Sequence, residues 1–138
     1  MKKLASIISV ILLAGCAAST TGLRPNDLET SDRLRAERTL PLSFVQVQQA
    51  VLKHKSICGQ GPEFAVDSGH PGLARVIQKL TPDAQLEHSL VMTLILRPTE
   101  EDKFSVKTHV YSYYAVSDEQ VQQLYAAILR PEECPQVS

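Results

Sequence analysis

A change of apolar period near residue 89 restricts the fold more than any other feature of this chain. The run SLVMTLILR sets Leu90, Met92, Leu94 and Leu96 against Val91, Thr93 and Ile95. Successive strand residues point to opposite faces, so a run that is apolar on both faces reads as a central strand. Arg97-Pro98-Thr99-Glu100-Glu101-Asp102 follows as an acidic hairpin loop. FSVKTHVYSYY then alternates, with Phe104, Val106, Thr108, Val110, Ser112 and Tyr114 on one side and Lys107, His109, Tyr111 and Tyr113 on the other.

Helix-start signals flank this period-two region. In Leu42-Ser43-Phe44-Val45-Gln46-Val47, Ser43 and Gln46 match a capping box and Leu42 and Val47 a hydrophobic staple. Phe44, Val47, Val51 and Leu52 share one helical face to about Lys55, and Gly59 suits the exit. The device recurs at Val116-Ser117-Asp118-Glu119-Gln120-Val121, followed by a stripe of Val121, Leu124, Tyr125, Ile128 and Leu129 and a stop at Pro131. The string QVQQ, common to residues 46–49 and 120–123, reflects shared capping chemistry and is too short to argue duplication. LARVIQKL at residues 73–80 fits either period. Pro71-Gly72 before it and Thr81-Pro82-Asp83 after it confine it, which favours a strand. The expected fold is α+β: an antiparallel sheet of three to four strands with two helices packed on one face. The main strands are 73–80, 88–97 and 103–114, with FAVD a loop or short edge strand.

The first residues carry a different signal. Lys2 and Lys3 precede an apolar run at residues 4–13, about ten residues, short of the roughly 20 that span a bilayer and typical of a signal peptide. Leu13-Ala14-Gly15-Cys16 follows and resembles the lipobox of bacterial lipoproteins: Leu three before the cut, two small residues, then Cys. The resemblance implies cleavage before Cys16, a diacylglyceryl group on its thiol and a further acyl chain on the freed amine. Several chains together hold far more firmly than one. Ala17 in place of Asp implies, by the enterobacterial sorting rule, the outer membrane with the domain facing the periplasm. On this reading residues 1–15 are signal peptide, 16–38 are the lipidated Cys and a flexible Ser/Thr-rich and charged tether, and 39–138 are one α+β domain. Leu28 and Leu34 allow a short local helix within the tether. As a whole the chain is similar to small lipoproteins of Gram-negative bacteria. Its helix–strands–helix order is loosely similar to the helix-grip domains of accessory lipoproteins in outer-membrane assembly machinery, from which no function follows.

Of the three cysteines, Cys16 is assigned to lipid and Cys58 and Cys134 remain. An even pair in an oxidising envelope compartment reads as one disulfide. Free thiols are disfavoured there, and a two-Cys metal site lacks partner ligands. Both cysteines lie just beyond a helix C-terminus, and bonding requires Cα atoms within about 7 Å. An odd number of intervening strands brings those ends together, which favours three. With four, the tail after Pro131 must run back to reach Cys58.

Chemistry is sparse. The 14 lysines and arginines, less Lys2 and Lys3, leave 12 against 15 acids, with no basic stripe, which argues against nucleic acid. His54, His70, His88 and His109 fall on different elements without metal-ligand spacing, so no metal or cofactor is expected. Asp67-Ser68-Gly69-His70-Pro71 places an acid, a hydroxyl and an imidazole in one loop, but triad members normally come from separate segments, so a polar turn is the plainer reading. No catalytic residue is expected. The face opposite the helices would show Val91, Thr93, Ile95, His109, Tyr111 and Tyr113, a surface suited to an envelope protein partner unless the tether, FAVD or the Tyr rings cover it. The competing expectation is a carrier or sensor of a small apolar ligand held between sheet and helices.

Overall fold

A computed structural model describes residues 22–99 and 103–136. The expected signal peptide, Cys16 and the first residues of the tether lie outside them. In chain order the elements are α1 (Pro25–Leu28), a 3-10 turn (Ser31–Arg33), β1 (Leu34–Leu40), α2 (Phe44–Cys58), β2 (Glu63–Val66), β3 (Leu73–Lys79), a second 3-10 turn (Leu86–His88), β4 (Ser89–Pro98), β5 (Phe104–Tyr111) and α3 (Asp118–Leu129). The strands form one antiparallel sheet of five in the order β1-β5-β4-β3-β2. The doubly apolar run is therefore the middle strand, and Ser89 to Leu94 are all buried.

Both capping boxes form. Ser43 Oγ accepts from the Gln46 N–H at 3.3 Å while Gln46 Oε1 accepts from the Ser43 N–H at 2.8 Å. Ser117 and Gln120 repeat the exchange at 3.2 and 3.0 Å. Each pair satisfies amides that a helix start leaves without partners. Gly59, at φ 73, ends α2 in the left-handed conformation and donates to the Lys55 carbonyl. The two long helices cover one side of the sheet, where Val47, Val51, Leu124, Tyr125 and Ile128 pack on Leu90, Met92, Leu94, Val106 and Val110. The Tyr125 hydroxyl in that core stands 2.7 Å from Thr108 Oγ1, which donates to the Arg38 carbonyl at 2.9 Å.

Three expectations need correction. The segment assigned to the tether through residue 38 holds α1, the 3-10 turn and most of β1, so the folded region begins before residue 39. β1 reads LRAERTL, and its charged residues hid it: an edge strand is recruited by backbone pairing with β5, from Leu34 opposite Tyr111 to Leu40 opposite Val106. Second, the sheet has five strands rather than three to four, because β1 joins one edge and β2 pairs in full with β3 at the other, Glu63 opposite Ile77 through Val66 opposite Ala74. Third, β5 stops at Tyr111, not 114. The Ser112 N–H leaves the ladder to donate to the Arg33 carbonyl at 3.1 Å.

Four strands thus separate the long helices, and the tail does run back. His54 Nδ1 donates to the Pro131 carbonyl at 3.1 Å, Glu132 pairs with Lys53, and Cys134 bonds Cys58 across a Cα–Cα distance of 5.4 Å. Pro135 and Gln136 then face the same cleft as Gln120 in the first turn of α3, so the tail doubles back along α3.

Candidate functional site

The sheet face away from the long helices is the first candidate, and it is only partly open. Val91 is fully buried and Thr93 is 5% exposed, which corrects their assignment to a contact surface. Ile95, His109 and Tyr111 are half-buried, and Tyr113 is 40% exposed. The cover is the segment 25–33. Arg75 on β3 stands at its anchor: Nε donates to Glu29 Oε1 at 2.7 Å, Nη1 to Asp67 Oδ2 at 2.8 Å and Nη2 to Asn26 Oδ1 at 2.8 Å. Thr93 Oγ1 donates to the same Glu29 oxygen at 3.0 Å, and Leu28 in this segment is fully buried. Burial alone would lower the Arg75 guanidinium, but the bonds it donates to Glu29 and Asp67 outweigh that and hold it above its ordinary value. Donation from Arg75, and then from the Gly69 amide, lowers Asp67 to about 2. Sequence reasoning missed this anchor. Its one local trace was Leu28, an isolated apolar residue in a polar stretch.

Further along the face, Glu37 of β1 bridges two β5 side chains. Lys107 Nζ stands 2.7 Å from its carboxylate and His109 Nε2 3.0 Å, and the Lys107 bond holds the Glu37 carboxyl below its usual range. Burial, followed by the charges of Glu29 and Glu37, raises the Tyr111 hydroxyl. Beyond β5 the Arg33 guanidinium lies over the Tyr113 ring at 4.6 Å, Tyr113 meets Tyr114 edge-on at 5.0 Å, and Tyr114 stacks on His88 at 5.0 Å. The open remainder is a strip of imidazole and phenol rings held in place by Arg33 and Glu37.

The second candidate lies at the end of the helix layer. A cleft of about 490 Å³ opens between the end of α2, the first half of α3, the doubled-back tail and the outer strands β2 and β3. Leu80, 37% exposed, gives it apolar surface, with Leu90 and Leu124 buried beneath, and glutamines make up much of its wall. Lys55 and Glu63 stand 3.9 Å apart on its border. The space between sheet and helices proper is filled by Met92, Leu94, Val106 and Val110, each with no exposed surface, so an apolar ligand enclosed there has no room.

The four histidines remain apart. His54 is buried beside the disulfide, its Nδ1 3.7 Å from Cys58 Sγ; His70 pairs with Asp67 at 3.3 Å; His88 stacks on Tyr114; and His109 joins Glu37. In the Asp67–His70 loop the Asp67 carboxylate accepts from the Gly69 amide at 2.9 Å, which makes the stretch a turn braced against Arg75. Among the described residues no group of three His, Cys, Asp or Glu stands close enough to hold a metal ion, and no helix is long and apolar enough to cross a membrane.

No family model matches the chain, and no curated protein matches it. Among solved structures, it is similar to a crystal structure of Ara h 8.0201, with 14% identity, 70% of this chain and 91% of that chain covered, and a TM-score of 0.33. A likeness that slight carries no argument about fold or activity.

Proposed function

We propose that this chain is a lipid-anchored cell-envelope protein that acts by binding another envelope protein rather than by catalysis. Acyl chains on Cys16 hold it in the outer membrane, and the domain faces the periplasm. The observation that carries the address is the Cys58–Cys134 disulfide, a covalent feature of oxidising compartments that accords with export through the Leu13–Cys16 motif. The binding reading rests on His109 and Tyr111, half-buried, and Tyr113, 40% exposed, which keep accessible surface although Val91 and Thr93 on the same face are buried. Tyr rings held by neighbours offer contact area with little rotamer entropy left to lose.

Mass spectrometry of the mature protein tests the address. The expected N-terminal residue is Cys16 with diacylglyceryl and acyl mass, and an unmodified start elsewhere overturns the anchor. A photo-crosslinking residue at position 113 in cells tests the surface. A discrete adduct that is lost when Tyr111 is also replaced by Ser supports it, and the absence of any specific adduct removes it.

A further inference from the structure

We propose that the cleft at the end of the helix layer binds a short uncharged peptide, with the His54 imidazole accepting a hydrogen bond from one of its backbone N–H groups. The inference goes beyond the sheet-face reading and does not depend on it.

His54 is 4% exposed, and a backbone carbonyl only accepts, so its Nδ1 carries the proton donated to Pro131. In the neutral ring Nε2 is then a bare acceptor. It bonds no described residue, yet among the described residues no buried side-chain nitrogen or oxygen is sealed off without a partner. Nε2 therefore reaches open space, and the space His54 borders is the cleft. The ring is held from two sides. The Pro131 carbonyl fixes one nitrogen, and the backbone of Gly61 passes so close that a Cβ there would lie 2.9 Å from His54 Cδ2. A fixed donor tautomer on one nitrogen with the other presented to a cavity is how proteins aim an imidazole at a ligand.

The rest of the lining selects the ligand class. The volume of about 490 Å³ falls within the ~300–1,000 Å³ typical of ligand sites. Gln60, Gln123 and Gln136 bring side-chain amides, each both donor and acceptor, which match the peptide group in both directions. Lys55 and Glu63 offset each other on the border, leaving the exposed Lys79 as the remaining charge, and Leu80, 37% exposed, offers apolar surface to a small side chain. Sugar rings are gripped mainly by the faces of Trp, Tyr and Phe, and none of these is among the described residues of the lining. That favours a peptide over a saccharide.

The test titrates acetyl-trialanine amide into the full-length mature protein, isotopically labelled and held in detergent micelles, with nuclear magnetic resonance as the readout. Saturable shifts are expected at His54 Nε2 and at the Gly61 amide. His54→Phe should weaken binding about tenfold, the worth of one buried hydrogen bond. Gln123→Ala, outside the capping box, should weaken it severalfold with the spectrum of the fold unchanged. Shifts confined to other surfaces, no saturation, or a folded His54→Phe variant that binds equally well would overturn the proposal. Tighter binding of cellotetraose than of the peptide would overturn the ligand class. Should His54→Phe fail to fold, the Nε2 response of the native protein and the Gln123→Ala variant decide.

Discussion

On one side of the sheet, Leu90, Met92, Leu94, Val106 and Val110 are closed by helices of 15 and 12 residues whose apolar stripes fit against them. On the other side, Val91 and Thr93 are buried as well, beside a four-residue helix and a 3-10 turn whose link, Glu29, accepts from Thr93. A single guanidinium anchors that cover, Arg75 to Glu29, Asp67 and Asn26. The first closure scales with buried apolar area, at about 25 cal/mol per Å², and is indifferent to protonation. The second rests on charge-assisted hydrogen bonds at sites that water still reaches, with side chains 12% exposed for Arg75 and 22% for Glu29 and Asp67. A helix layer of the first kind opens only with the whole domain. A short cover of the second kind can open alone.

The largest expected effect falls on the helix side. Replacing both Cys58 and Cys134 by Ala frees a loop of 76 residues and should lower stability by about 4.5 kcal/mol on the chain-entropy model, measured by urea denaturation. The tail should leave α2, while the anchor at Arg75 should persist. If protection of segment 25–33 from amide exchange fell in parallel, the two closures would be one cooperative unit and the contrast would fail.

Next come two leucines with equal burial. Leu94→Ala should cost about 3 kcal/mol in global unfolding, because it leaves a cavity within the core. Leu28→Ala, also at zero exposure, should appear mainly as faster amide exchange in residues 25–33 with a smaller global loss. Equal global losses would break the comparison.

Arg75→Ala removes three hydrogen bonds and leaves Glu29 and Asp67 facing each other without a counter-charge. About 2 kcal/mol of local stability should go, read as tryptic cleavage after Arg33 and as increased solvent access at Thr93. Unchanged cleavage would mean that Leu28 and the bonds from Thr93 and Ser112 hold the segment without Arg75.

The smallest effect is one of pH. Asp67 has a folded-state value near 2 against an ordinary 3.8, so its contribution is complete above the ordinary carboxylate range and is lost as pH falls from about 4 towards 2. Glu37, lowered by Lys107, acts in the same direction. Methyl resonances of Leu28 should therefore shift at a higher pH than those of Leu94. Simultaneous shifts would assign both faces to the same acid transition.

Legibility followed the range of the interactions. Helix starts at Ser43 and Ser117 depend on partners three residues away, so the sequence displays both members of each pair. The middle strand shows its burial directly, since both of its faces are apolar. The pairing of Cys58 with Cys134 followed from counting. The strip of His109, Tyr111 and Tyr113 was visible as alternation, but its covered neighbours were not. Val91 and Thr93 look identical in a sequence whether or not a segment some 60 residues earlier lies over them. The cleft was hidden for the same reason: its lining comes from separate stretches around residues 54–61, Leu124 and Gln136, and His54 looks like one more isolated histidine.

Local chemistry alone thus determined where the long helices begin, which strand lies at the centre and which sulfur atoms join. Tertiary structure decided that LRAERTL becomes an edge strand, because backbone hydrogen bonds to β5 compensate for side chains with no apolar signal. It also decided that the tail returns along α3, because four strands put the partner of Cys134 out of reach by any direct path, and that Arg75 converts a polar leader into a lid. Each of these outcomes rests on contacts between residues far apart in the chain, whose free energy exists only once the sheet has brought them together.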